Sequence, residues 1–112
     1  MKNNKINCSI QLYRTENTRN LQHITAYYDG EFLKIEDYDI GESAKEHYGR
    51  CDHEMTYCFD KENTKLFYTK TNAKTSHQFM ESIAQRFAGF DAMRKIEQWC
   101  EQKNIQYAVV VY

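Results

Sequence analysis

The sequence predicts an α+β domain, an antiparallel or mixed sheet of about five strands with helices packed on one face. Three observations carry that expectation. Short stretches near the start and middle of the chain alternate apolar and polar residues with period two, the mark of half-buried strands. Residues 75 to 104 instead repeat their apolar residues every three to four positions, as amphipathic helices do. Strands and helices also mix without the strict βαβ alternation of a doubly wound fold. At 112 residues the chain has the length of one domain, residues 1 to 112.

Ile6, Cys8, Ile10 and Leu12 alternate with Asn7, Ser9 and Gln11, giving a first strand. The polar stretch RTENTRN turns the chain, and Leu21 to Tyr28 form a second strand. Asp29-Gly30 then predicts a tight type I′ hairpin, which needs positive φ at both central residues, leading to a third strand over Glu31 to Glu36. Asp39 and Glu42 are spaced as a capping box, each side chain able to satisfy a free N–H at a helix start. Ile40, Ala44 and Tyr48 make a thin apolar stripe and Gly49 a left-handed stop, so a short helix is expected over residues 40 to 48. Met55, Tyr57 and Phe59 against Glu54, Thr56 and Cys58 make the fourth strand.

Residues 60 to 72 admit two readings. Asp60 is placed to cap a helix, but DKEN is also a hairpin turn, and Thr64, Tyr68, Thr69 and Thr71 favour strand by propensity. Thr75 and Gln78 then form a capping box before Phe79, Met80, Ile83, Ala84 and Phe87, and Gly89 ends that helix. Asp91 is placed to cap the next, with Met93, Ile96, Trp99 and Cys100 as its apolar stripe and Asn104 as its left-handed exit. The helical side of the core is expected to hold Phe79, Ile83, Phe87, Ile96 and Trp99. The closing IQYAVVVY is apolar on both faces, as in an interior strand.

Composition narrows the function classes. A net charge of −1 gives no broad basic surface to displace counterions from phosphate, and Lys65, Lys70, Lys74, Arg86, Arg94 and Lys95 are diluted by Glu62, Glu81 and Asp91. Nucleic acid is therefore not the expected partner. No apolar run approaches the roughly 20 residues that span a bilayer, so no membrane association is expected. The opening MKNNKINCSIQLYR has no apolar core of signal-peptide length, which points to a cytoplasmic protein with reduced cysteines.

The stretch HYGRCDHEMTYC holds the densest chemistry. Cys51, His53, Cys58 and either His47 or Asp52 have the right types for zinc, but only Cys51 and His53 are close, and in a strand Cys58 points to the opposite face. As a nucleophile, Cys51 would follow a helix C-terminus, whose negative end raises a thiol pKa. Cys8, Cys58 and Cys100 fall inside predicted elements and read as small core or near-core residues. Gly30, Gly41, Gly49 and Gly89 stand alone and build no phosphate loop. No metal, cofactor or catalytic set is expected.

Nine tyrosines are the notable excess. Tyr13, Tyr27, Tyr28, Tyr38, Tyr57, Tyr68, Tyr107 and Tyr112 lie in or beside predicted strands, where cross-strand pairing alone accounts for many. Tyrosine is also a frequent interface anchor. Tyr27, Tyr28, Glu36, Asp37, Tyr38 and Asp39 cluster around the second hairpin and the helix entry, and such an acidic, aromatic patch suits a basic protein partner.

The pattern Asp39-Ile40-Gly41, Glu46, Tyr48-Gly49, Asp52 and Glu54, followed by Arg86-Phe87, Gly89, Ala92, Trp99, Ile105 and Tyr107, resembles a loosely defined group of small bacterial proteins. The likeness covers residues 27 to 110; it breaks at Met55, where the group carries an aromatic residue, and after Asp60, where the group reads as helix and this chain as β-rich. Proteins of this type look similar to immunity proteins of contact-dependent toxins and to phage-encoded inhibitors. The lack of a convergent catalytic set and the tyrosine excess point to a non-enzymatic protein-binding module, such as an immunity-type or phage-type inhibitor, with an unknown protein partner, and a homodimer is compatible with it. The competing expectation is a small enzyme or ligand-binding domain using Cys51, His53 and Glu54.

Overall fold

A computed structural model of the chain describes residues 7–42, Gly49 and residues 52–112. Four strands run first: β1 (Cys8–Glu16), β2 (Asn20–Tyr28), β3 (Leu33–Gly41) and β4 (Asp52–Phe59). Three helices follow, α1 (Lys61–Lys70), α2 (Ser76–Phe87) and α3 (Ala92–Lys103), and β5 (Ala108–Val111) closes the chain. Every neighbouring pair is antiparallel and the sheet order is the chain order, β1-β2-β3-β4-β5. All three helices therefore belong to the single excursion between β4 and β5. The fold is the α+β class that the alternation predicts.

Period-two alternation builds the core. Ile24, Ala26, Tyr28, Leu33, Ile35, Tyr57 and Phe59 point to one side of the sheet and are buried there against Phe67, Phe79, Met80, Ile83, Phe87, Met93, Ile96 and Cys100 of the helices. Phe67, fully buried, is the hub of the aromatic packing. The rings of Phe59, Phe79, Phe87 and Trp99 lie 5.3, 5.8, 6.1 and 4.6 Å from its own, mostly edge to face. The expected helical core residues are all present, Trp99 as a partly buried margin.

A bulge in β1 ties the two layers. Gln11 faces Thr25 and Tyr13 faces Ile24, so Leu12 is the extra residue. Its carbonyl accepts from Gly89 N at 2.9 Å, fastening the end of α2 to the sheet.

Several local expectations need correction. The β2–β3 loop is four residues long, Asp29 to Phe32, with Tyr28 facing Leu33. Only Gly30 has positive φ (96°); the Asp29 carboxylate accepts from Glu31 N and Phe32 N at 2.9 and 2.8 Å, so an Asx turn replaces the type I′ hairpin. β3 also runs on to Gly41, with Asp39 facing His53 and Ile40 facing Asp52. Asp39 is thus a strand residue and not a helix cap; of the expected helix over 40 to 48, residues 43 to 48 lie outside the described residues. Gly49 is left-handed, φ 76°, as expected.

Residues 61–70 are helical, against their β-rich composition. Asp60 caps α1, accepting from Asn63 N at 2.8 Å and from Asn63 Nδ2 at 3.0 Å. α2 begins with its capping pair: Thr75 Oγ1 accepts from Gln78 N at 3.1 Å, and Gln78 Oε1 accepts from Lys74 N at 2.8 Å. Asp91 makes no side-chain cap bond; its carboxylate meets Lys95 Nζ at 3.2 Å instead. Asn104 takes the left-handed exit, φ 59°.

The last strand is an edge, not an interior strand. β5 pairs only with β4, and Val109 and Val111 are 52% and 59% exposed. Its apolar run fits either place, since the described helices do not reach that far along the sheet.

Gly41 carries an expected outcome. Its φ is +121°, and a Cβ there would lie 2.0 Å from the backbone oxygen of Arg19. Gly41→Ala should destabilise the fold by about 1–3 kcal/mol, the range for strain at such a backbone position. A urea midpoint unchanged from wild type would show that the β2–β3 end relaxes freely.

Candidate functional site

The sheet has one face buried under the helices and one face that carries none of their core contacts. The described helices bury their apolar side chains in the cluster on the inner face. Cross-strand register arranges the outer side chains in rows. His23, Tyr38 and Glu54 form one row; Thr25, Glu36, Thr56 and Val110 form the next; Tyr27, Lys34, Cys58 and Ala108 form the third.

These rows interact. The His23 and Tyr38 rings meet edge on, 5.6 Å apart. Tyr27 hydroxyl donates to Glu36 Oε1 at 3.5 Å, and Lys34 Nζ sits 5.3 Å from the centre of the Tyr27 ring. Glu54 lies diagonally across from Glu36. Desolvation, the Glu36 charge and a hydrogen bond with Glu36 all push the Glu54 carboxyl above the ordinary glutamate range. Between the two acids in the ladder stands Thr56, only 3% exposed, whose hydroxyl has no hydrogen-bond partner.

The residues expected to form one patch do not share a surface. Tyr27, Glu36 and Tyr38 are on the outer face. Tyr28, Asp37 and Asp39 point to the helix side, as alternation along β2 and β3 requires. Tyr28 is buried, stacks edge on to Phe79 at 4.9 Å and donates its hydroxyl to Gly30 O at 3.2 Å. His53 and Glu54 likewise face opposite sides of β4, and Cys51 lies outside the described residues.

The tyrosine excess is mostly core. Tyr28 and Tyr57 are buried, and Tyr13, Tyr68 and Tyr107 pack against the cluster. Tyr57 donates to the Glu97 carboxylate; burial and that bond push its hydroxyl well above the usual tyrosine range. Tyr112 is exposed, which among the described tyrosines leaves Tyr27 and Tyr38 for the outer face. Among the cysteines, Cys100 is buried, its thiol pushed up to about 12, a poor nucleophile. Cys58, expected in or near the core, is half-buried on the outer face.

Asp37 is the strained acid of the inner face. Burial pushes its carboxyl above the ordinary 3.8, against a hydrogen bond from Gln22 Nε2 (3.1 Å) and the charges of His53 and His23. An acid with a raised folded pKa binds more protons folded than unfolded, so stability falls as pH rises from 3.8 through the raised value. Asp37→Asn, which keeps an acceptor for Gln22, should remove that fall and leave the protein more stable than wild type at neutral pH. Parallel pH–stability curves for the two would refute this.

Sequence reasoning singled out Glu36 and Tyr38 but missed Thr56, and it set Glu54 beside His53 instead of beside Glu36. The alternation of β4 was visible. Its register against β3 was not, because the connection of residues 42 to 51 carries no turn signal that fixes it.

Among the described residues, no group of three His, Cys, Asp or Glu side chains is placed to hold a metal ion, and no helix is long and apolar enough to cross a membrane. No protein-family model, curated protein or solved structure matches the chain.

Proposed function

We propose that the protein is a non-enzymatic binding module, of the immunity or phage-inhibitor kind, that engages another protein through the outer face of its sheet. The observation that carries this reading is the adjacency of Tyr27, Tyr38, Glu36 and Glu54 on that face. Two half-buried rings provide contact area at low entropic cost, and the acids favour a basic partner. Tyr28, Asp37 and Asp39 are left out of the surface because they face the helices. His53 and Glu54, two residues of the competing enzyme reading, face opposite sides of β4, which favours the binding reading.

Affinity capture from the source cell tests the proposal, with wild type, a Tyr27→Ala/Tyr38→Ala double variant and an α2 control, Glu81→Ala. One protein retained by wild type and by the control, and lost from the double variant, is the expected result. Equal retention by all three, or no specific retention by wild type, would overturn the reading.

A further inference from the structure

The two edges of the sheet are not alike. β1 is bulged at Leu12, whose carbonyl is taken by Gly89 N, and it carries the Arg14–Glu16 ion pair, features that keep a strand edge from pairing with another chain. β5 has none of these. It carries no charge, no proline and no bulge, and no described strand pairs with its far side.

The ladder decides which backbone groups face that far side. Tyr112 N donates to Glu54 O at 2.9 Å, so Tyr112, Val110 and Ala108 turn their N–H and C=O groups to β4. Val109 and Val111 turn theirs away. Their side chains lie on the helix side of the sheet, facing Tyr57 and Met55, yet both are more than half exposed.

We propose that β5 pairs antiparallel with β5 of a second copy of this chain, about a two-fold axis that passes through Val110 perpendicular to the sheet, so that one sheet runs through both copies. Backbone parity selects the register. Centring on Val110 sets Val109 of each strand against Val111 of the other, and all four outward residues exchange N–H···O=C bonds. Centring on Val109 or on Val111 leaves the other one opposite a residue outside β5. Side chains complement themselves in that register. The rotation gathers the four valines on the helix side and sets the exposed Tyr112 across from the small, exposed Ala108.

Charge favours a second copy as well. Arg94, Glu97, Gln98 and Glu101 form an exposed stripe along α3, in one hollow with Ile105 and Tyr107 just before β5. Glu97 accepts from Tyr57, the residue facing Val109, which holds the middle of the stripe near the level of the axis. The rotation reverses α3 against its copy, so the Arg94 end of each stripe is set toward the Glu101 end of the other. The outermost strands are then both β1, bulged and charged, so assembly closes at two copies. The outer sheet face stays open in both copies, and the dimer stands apart from the binding reading above.

A four-residue strand and one helix flank place the interface at the low end of the size range, below about 1,200 Å², among weak, reversible associations. Sedimentation equilibrium of the purified 112-residue chain, from roughly 1 μM to 1 mM, covers that range. A monomer–dimer equilibrium is the expected result. Amide exchange over the same series reads the edge itself: Val109 and Val111 should slow as concentration rises, while Val110, already bonded to β4, should change little. Val109→Lys should weaken association at least tenfold and leave the urea midpoint at high dilution unchanged, because the residue is exposed in the single chain. Arg94→Glu should raise the dissociation constant about tenfold, and Arg94→Glu/Glu101→Arg should bring it back toward wild type. A single-chain mass throughout the series would overturn the proposal. So would a dimer that survives Val109→Lys, one that leaves the Val109 and Val111 amides unprotected, a charge swap that restores nothing, or species that grow without limit in place of a dimer.

Discussion

Phe67→Ala should destabilise the protein by about 3–5 kcal/mol, the cost of emptying a buried aromatic site that cannot collapse. Phe67 is fully buried and touches rings from β4, α2 and α3, so no single element can move to fill the space. For a domain of this size, such a loss consumes a large part of the total stability. Chemical denaturation read by Trp99 fluorescence would measure it, since Trp99 lies 4.6 Å from the Phe67 ring. A Phe67→Leu variant should recover much of the loss by restoring volume. A midpoint for Phe67→Ala close to wild type would mean that the aromatic cluster is not the mechanical centre of the core.

That hub was not legible in the sequence, and the reason is physical. Phe67 sits in a segment whose threonines and tyrosine prefer strand, and local propensity is a weak term of a few tenths of a kcal/mol per residue. Packing of one apolar face against β4, together with the Asp60 cap, outweighs it. Where pattern and packing agree, reading was direct: the period-two strands, the Thr75 capping pair and the stripes of α2 and α3 all stand as expected. β5 shows the opposite limit. A short apolar run describes a strand but not its place in the sheet, because an interior strand and an uncovered edge strand share one composition.

The candidate site was half legible for a related reason. Acids and tyrosines adjacent in sequence look like one patch, yet a strand sends neighbours to opposite faces, and Glu36 and Asp37 end on different sides of the sheet. The true neighbours of Glu36 come from other strands: Tyr27 from β2, and Thr56 and Glu54 from β4. Only register brings them together, and nothing in the sequence between Gly41 and Asp52 specifies the β3–β4 register.

Thr64→Val should cost about 2–6 kcal/mol, although it exchanges side chains of nearly equal volume, because two buried backbone groups lose their partner at about 1–3 kcal/mol each. Leu33 and Phe59 face each other at the end of the β3–β4 ladder. The Thr64 hydroxyl stands between them, accepting from Leu33 N at 3.0 Å and donating to Phe59 O at 3.2 Å. One side chain from α1 thus completes the sheet and fixes the helix to it, which explains a β-favouring threonine in the first turns of a helix. Thr64→Ser keeps the hydroxyl and loses only a methyl group, so it should retain most of the stability, whereas valine keeps the methyl groups and loses the bridge. Amide exchange at Leu33 separates the two: it should accelerate strongly in the valine variant and little in the serine variant. Equal protection of Leu33 in both, with equal denaturation midpoints, would show that the ladder end closes directly and that the hydroxyl bridge contributes nothing.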